Sequence, residues 1–367
     1  MLVRTLTLRD FRNYEGARIT LGEGLTLVTG PNGAGKTNLL EGLYFGCTGR
    51  SCRTSNEREV VRFGAQATRV VVSAVGDDGP HEVSVGFVPG EPKRLRLDGA
   101  VLDRLLDAPQ RPMVSVFLPD RLELIKGPPG LRRAHLDQVV AALRPARVAS
   151  RRAYRQALAQ RNALIARIRA GRGSRDSLPS WDAQLAHHGV ALMRDRFSAV
   201  EEIAPAFTRL GSALGVEGEL ELSYRPRSQA KASADLAAEL ASRVDSDIER
   251  GFTGHGPHRD ELASTLDGRD LRAYGSQGQQ RLALLCLLLA EREAIAAHRD
   301  APPVMLLDDV MSELDRSRRQ ALVDLLRGGA GQAVITTTDP EHVPGSDQED
   351  VTRIVVSAGR ALEEALA

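Results

Sequence analysis

Aromatic residues make up only 4% of the 367 positions, and between residues 121 and 175 Tyr154 stands alone. A surface that stacks bases, as OB folds and RRMs do, is therefore poorly supplied. Cysteine is scarcer. Cys47, Cys52 and Cys286 are an odd number with no CxxC pair and no Cys/His cluster, which gives neither a disulfide framework nor a zinc site. Long apolar runs are missing too: the longest, at 282–290, is far short of a bilayer span, so no membrane partner is expected. The opening segment, MLVRTLTLRD, alternates like a strand and lacks the apolar core of a secretory signal, so the expected compartment is the cytoplasm. Lysine is confined to Lys36, Lys93, Lys126 and Lys231, none followed by the x-Asp of the guanine-reading NKxD motif, which argues against a GTP switch. The absence of internal repeats and of a sustained heptad array excludes a solenoid and long coiled-coil arms.

What is present is the composition of an ordinary globular protein, 42% hydrophobic and 26% charged, at a length that allows two domains. The formal net charge of +1 conceals a segregation. Residues 121–175 hold fourteen Arg or Lys against two acids, Glu123 and Asp137, an excess of twelve that leaves −11 for the remainder. Such asymmetry points to a polyanion-binding face on an acidic body.

Residues 2–30 read as strand, turn, short strand and strand, ending in LTLVTG, with a helix beginning near Lys36. Period-2 segments at 69–75, 81–87 and 94–97, punctuated by GDDGP and VPGEP, predict an antiparallel meander. Residues 114–118 form a further apolar strand. From about 132 to 210, stretches rich in Ala, Leu and Arg predict helices, broken near GRGSRDSLPS at 171–180. A strand at 219–224 and a helix over 232–250 follow. Then come a strand at 261–266, a helix over 276–297, a strand at 304–307, a helix over 316–327, and strands at 332–336 and 351–356. This alternation predicts a mostly parallel α/β sheet, split by the helical insert.

The strongest local signal is GPNGAGKT, made of Gly30, Pro31, Asn32, Gly33, Ala34, Gly35, Lys36 and Thr37. It fits GxxxxGK[ST] between a strand and a helix, where backbone N–H groups and the helix dipole meet phosphate oxygens. Lys36 is expected on the β- and γ-phosphates of ATP, and Thr37 on Mg2+. VMLLDDV at 304–310 is an apolar strand that delivers two acids at its C-terminal end, where ligands bind in open α/β sheets. Asp308 suits the Walker B role toward Mg2+, and Asp309 a general base for the attacking water. In GSQGQQR at 275–281, Ser276 is a natural N-cap, and the same helix N-terminus is a second anion site.

In their order, P-loop, SQGQQ, LLDD and SELD at 312–315, these motifs resemble those of the ABC and SMC class of ATPase heads. Over essentially the whole chain the resemblance is to the RecF family. It is carried by LxLxxFRNY at 6–14, the P-loop, VFLPDRLELIKGPPGLRRAHLD at 116–137, GPHRDEL at 256–262, YGSQGQQR at 274–281 and LLDDVMSELD at 306–315. The resemblance implies a P-loop ABC-type ATPase head, a mixed sheet plus an antiparallel subsheet, with an inserted, mostly helical arm. The expected division is an ATPase domain from 1–120 and 253–367 around an Arg-rich insert at 121–252. In that class one subunit's signature motif covers the ATP of another. The resemblance thus implies an ATP-dependent homodimer with Ser276, Gly278 and Gln279 acting across it, and SELD as its D-loop. It also implies a DNA-binding ATPase that works with RecR and RecO to place RecA on gapped DNA, with slow hydrolysis resetting the clamp.

The chain departs from the class pattern in three places. SQGQQ replaces the usual SGGQ, putting Gln277 after the serine. The histidine-switch region reads TTTDPEH at 336–342, where His342 is late and a threonine stands in. Gln66 is the candidate Q-loop glutamine. Two other functions compete: the nucleotide-binding subunit of an ABC transporter, and a small SMC-like DNA organiser. The long basic insert and the RecF-like segments favour the repair ATPase, and the chain is too short for SMC arms.

Within the insert, Arg144, Arg147, Arg151 and Arg155 fall at i, i+3, i+7 and i+11, within roughly an 80° arc of one helix. With Arg132 and Arg133 they are the candidate contacts to duplex or gapped DNA, suited to phosphate by their planar fork. Against this, 45 of the 49 basic residues are Arg, a bias that fills any solvated helix face. His258, Arg259 and Asp260 read either as ordering the nucleotide site or dimer face or as a structural turn. Phe11, Arg12, Asn13 and Tyr14 read either as packing or as nucleotide-edge contacts.

Overall fold

The computed structural model describes residues 1–363 except 106, 107, 109, 119–121, 300, 301 and 330. The part of the 116–137 motif at Pro119, Asp120 and Arg121 therefore lies outside the described residues. The opening alternation arises because one strand face is covered: Leu6 and Leu8 are buried while Arg9 is exposed. This strand, β1 (Leu2–Phe11), is followed by β2 (Tyr14–Thr20) and by β3 (Leu25–Thr29), which is almost wholly buried. The P-loop leads into α1 (Lys36–Thr48). Next come β4 (Thr68–Gly76), β5 (Gly79–Phe87), β6 (Arg94–Leu97), β7 (Ala100–Leu102) and β8 (Val114–Phe117).

The insert opens with α2 (Glu123–Lys126), α3 (Pro129–Leu143), α4 (Val148–Arg169) and α5 (Leu178–Ala213). It continues through β9 (Leu220–Arg225), α6 (Ser233–Ala241), α7 (Val244–Arg250), β10 (Glu261–Leu266), β11 (Arg269–Asp270), α8 (Leu271–Tyr274) and α9 (Gln277–His298). The chain closes with β12 (Val304–Leu307), α10 (Arg316–Gly328), β13 (Ala333–Thr337), β14 (Thr352–Ser357) and β15 (Arg360–Glu363).

Two compact units result: Met1–Arg121 with Ile295–Ala367, and Leu122–Ala294. The segment 253–294, expected with the chain ends, lies in the second unit. The reason is pairing: β10 runs antiparallel to β9 across six residue pairs, in a three-stranded sheet ordered β11-β10-β9.

The first unit holds two six-stranded sheets. One is antiparallel, ordered β2-β1-β4-β5-β6-β7; the other, ordered β15-β14-β3-β13-β12-β8, is parallel apart from the β14–β15 hairpin. Helix α1 packs on β1, β4 and β5 of the first and on β8 and β13 of the second. Its approach is close enough that a Cβ on Gly46 would lie 2.5 Å from Val72 Cγ2, so a larger residue there would push helix and sheet apart. Buried Gln332 joins the layers: its Oε1 accepts from Val3 N–H, and its Nε2 donates to the carbonyls of Val3 and Gly22, each at 2.7 Å. No described helix is long and apolar enough to cross a membrane.

Candidate nucleotide-binding site

The loop between β3 and α1 carries the P-loop at the C-terminal edge of the mixed sheet. Gly35, at φ 121°, occupies a backbone region that side chains avoid, and a Cβ there would strike Asn13 Nδ2 at 2.5 Å. Lys36 is buried, and its ammonium donates to the carbonyls of Gly30 at 2.7 Å and Pro31 at 3.1 Å. Burial pulls its pKa down, against the charges of Asp309 and Asp308.

β12 delivers Asp308 to the same place. Thr37 Oγ1 donates to its carboxylate at 2.9–3.0 Å, and Thr336 Oγ1, from the neighbouring strand β13, donates to Oδ1 at 2.8 Å. Burial raises the Asp308 pKa, with Asp309 adding to the shift and the two threonine hydrogen bonds opposing it. A buried carboxylate beside a hydroxyl is the all-oxygen donor set that hard divalent cations take. Asp309 adopts a left-handed backbone, φ 46°; its N–H donates to Thr336 Oγ1 at 2.9 Å, and Ser312 Oγ donates to its carboxylate at 3.0 Å.

The FRNY segment proves to be a brace for the loop. Asn13 Nδ2 donates to Ala34 O at 2.9 Å, and Tyr14 Oη to Gly35 O at 3.0 Å. Arg12 reaches Glu41 of α1 through two hydrogen bonds, 2.8 and 2.7 Å, and Glu41 is fully buried. Phe11 packs on Phe45 of α1. Glu41 was not singled out from the sequence, and the threonine expected at the switch position was not fixed to Thr336. The threonine run at 336–338 marks that position; a lone glutamate in an amphipathic helix gives no sign of Glu41. His342 lies in a short 3-10 turn beside Asp339, and Gln66 is exposed in the loop before β4.

In the second unit, Ser276 heads α9. Its Oγ accepts from Gln279 N–H at 3.2 Å while Gln279 Oε1 accepts from Ser276 N–H at 2.9 Å, a reciprocal capping box. A Cβ on Gly278 would meet nothing within 4 Å; Gln277 and Gly278 are exposed and Gln279 is half-buried.

The arginine stripe does not form as the spacing implied. Pro145 ends the helix, since the residue before a proline is forced out of the α region. Arg144 accordingly sits at φ −136°, ψ 75°, between α3 and a separate α4. The candidate DNA contacts are also engaged internally. Arg132 is buried and forked onto Glu261 at 2.7 and 3.0 Å, and Arg133 donates to Asp260 O at 2.9 Å. Arg144 pairs with Glu202, Arg147 with Asp195 at 3.8 Å, and Arg151 and Arg155 with Asp137 at 3.0 and 3.8 Å. Arg161, wholly buried, bridges Asp182 at 2.5 Å and Asp247 at 2.7 Å. Most of these acids lie outside residues 121–175, so the fold offsets the charge excess that the linear sequence displays.

GPHRDEL belongs to the same polar core. His258 is bonded to Tyr154 Oη and to Thr253 O, both at 2.8 Å, and burial holds its pKa down to about 4. Asp260 accepts from Arg227 N–H at 2.7 Å and from Tyr224, and pairs with Arg196 at 3.3 Å; burial raises its pKa. Arg259 stacks over Phe252 at 5.0 Å. Of the two readings, the structural turn is what these contacts describe.

The mixed sheet, the P-loop and the acid-bearing strand beside it define a P-loop ATPase head of the ABC type. An AAA domain model matches residues 5–88. An SMC head bound to the C-terminal winged-helix domain of ScpA shares the fold, with TM-score 0.61 at 16% identity over 100% of this chain and 98% of that one. DNA replication and repair protein RecF of Anaeromyxobacter sp. (strain Fw109-5) is 38% identical over 371 residues, 98% of each protein. RecF of Myxococcus xanthus (strain DK1622) is 36% identical, over 98% of this chain and 97% of its own. A structure of the recombination mediator protein RecF with ATP, in the RecFOR pathway, matches with TM-score 0.85 and 27% identity over 99% and 98% of the two chains. The chain belongs to the RecF family.

Proposed function

We propose that this protein is an ATP-dependent DNA-binding ATPase of recombinational repair, which dimerises on ATP, holds duplex or gapped DNA and acts with RecR and RecO to help load RecA. The observation that carries the reading is the convergence of Lys36, Thr37, Asp308 and Thr336 at one sheet edge, in a chain whose relatives are RecF proteins.

The P-loop N–H groups of Gly33 to Thr37 receive the phosphates, and Lys36 exchanges the Gly30 and Pro31 carbonyls for phosphate oxygens. Thr37 and Asp308 would hold Mg2+, which supplies charge neutralisation on the phosphates when bound. Asp309, fixed by Thr336 and Ser312, accepts a proton from the attacking water as general base. Ser276 still has its hydroxyl proton to donate, since within its own helix it only accepts. With Gly278 and Gln279 it presents the N-terminus of α9 to the γ-phosphate held by a second copy. Hydrolysis removes that bridge and opens the dimer.

Steady-state phosphate release tests the P-loop assignment. Lys36→Arg lowers turnover about a hundredfold, as loss of a well-placed charged donor does; equal rates in variant and wild type would remove the assignment. Ser276→Arg retains ATP binding by single subunits and loses the dimer, and an ATP-driven dimer of that variant would refute the role across the interface.

A further inference from the structure

The antiparallel sheet of the first unit turns one face to α1 and the other outward. Leu6, Leu8, Val70 and Val72 are buried on the inner face. On the outer face, the strand register lines up arginines. Arg9 on β1 stands directly opposite Arg69 on β4, and beyond Gly86 of β5 follows Arg94 on β6. In the next row, two residues along, Arg18 on β2 is opposite Thr7, and at the far end Arg96 is opposite Ser84.

All five arginines are exposed. Arg94 reaches Glu91 at 3.4 Å, with both side chains more than half exposed, a pair of little worth in water. Arg9, Arg18, Arg69 and Arg96 have no side-chain hydrogen bond or ion pair among the described residues. The insert differs: there each candidate arginine meets a carboxylate or a carbonyl, against one of the five here. Like charges directly opposite across a strand pair destabilise a sheet. A sheet shaped by folding alone would set an acid against Arg9 or Arg69; in register each faces the other or a glycine, Glu82 stands two rows on opposite Ser73, and Asp10 and Glu15 lie to one side of Arg9 and Arg18.

We propose that this face binds the phosphate backbone of duplex nucleic acid. The proposal rests on the DNA-binding reading above and moves the contact from the insert to the antiparallel sheet. From β2 to β6 the face spans four strand spacings, about 19 Å. Over that length a duplex offers about eleven phosphate charges to the five guanidinium groups. No Phe, Tyr or Trp lies in these rows, so bases are not stacked and binding is independent of sequence. The same lack of an aromatic anchor disfavours an acidic protein surface as occupant.

The test is fluorescence anisotropy of a labelled duplex with the full chain, ATP and Mg2+, at salt from about 50 to 200 mM. Wild type is compared with the Arg9→Gln/Arg69→Gln double variant and with an Arg147→Gln/Arg155→Gln variant of the insert. The sheet variant weakens binding, and the slope of log affinity against log salt becomes shallower by about 1.8, at about 0.9 per lost phosphate contact. Its thermal midpoint is not lowered, because a repulsion has been removed. The insert variant keeps the wild-type slope. A sheet variant with wild-type affinity and slope overturns the proposal and leaves DNA binding by the chain intact. Wild type with no salt-dependent duplex binding overturns both the DNA-binding reading and the proposal. Poly-glutamate that displaces the duplex as well, charge for charge, as unlabelled duplex overturns it in favour of an acidic protein partner.

Discussion

Lys36 donates to two carbonyls of its own loop, and Thr37 donates to Asp308, so each group that would meet nucleotide or cation already has a partner of the right polarity. On the proposed function, these contacts hold the site ready and are exchanged on binding. The same economy explains Arg12, whose fork satisfies a carboxylate with no exposure at all. Removing one member of a buried ion pair leaves an uncompensated charge. Arg12→Ala therefore destabilises the protein by about 3 kcal/mol, even with Arg53 still 3.3 Å from Glu41. A lower urea midpoint at unchanged slope is the expected measurement, and an unshifted midpoint would show that Arg53 suffices. At this scale the P-loop and the LLDD acids were readable because their chemistry is local in sequence. The roles of Asn13, Tyr14 and Thr336 were not, since each acts on a residue 21 or more positions away.

At the scale of elements, period-2 and period-3.6 patterns placed nearly every strand and helix. The missed strands β7, β11 and β15 are short second arms of hairpins. Asp98-Gly99 and Asp267-Gly268, all with positive φ, are the two-residue turns that announce two of them. The arginine stripe failed for a different reason. A 100° rotation does not carry through Pro145, and the acids that meet the four arginines come from α3 and α5: Asp137 meets Arg151 and Arg155, Asp195 meets Arg147, and Glu202 meets Arg144 from 58 residues away. The insert's helices are tied together by the polar core around His258, which makes a pH prediction. The folded His258 takes a proton only near 4, whereas an unfolded histidine takes one near 6.5. Its contribution to stability is complete above 6.5 and is lost as pH falls through that window, on the order of 3 kcal/mol in all. Buried Asp260 and Asp182, with raised pKa values, act in the opposite sense, so the difference between variants isolates the histidine. His258→Gln flattens the fall of thermal midpoint between pH 6.5 and 4; an identical pH profile would contradict the assignment.

For the molecule as a whole, the sequence pointed to a basic insert and an acidic remainder, and the fold redistributes both. Carboxylates from α3, α5 and β10 meet most of the insert's candidate arginines, while Arg9, Arg18, Arg69 and Arg96 stand without a side-chain partner on an antiparallel sheet whose rows no linear pattern displays. Two compact units carry the two halves of the proposed ATP site: P-loop and acids in one, the capped signature helix in the other. Each half is fully formed within its own unit, and the reading requires that a second copy bring them into use. The most direct test is the mass in solution by light scattering, with and without ATP and Mg2+. The account predicts that the mass doubles with ATP and Mg2+, and that Ser276→Arg keeps the monomer mass under the same conditions. A wild-type mass unchanged by ATP would contradict the ATP-dependent dimer on which the account depends.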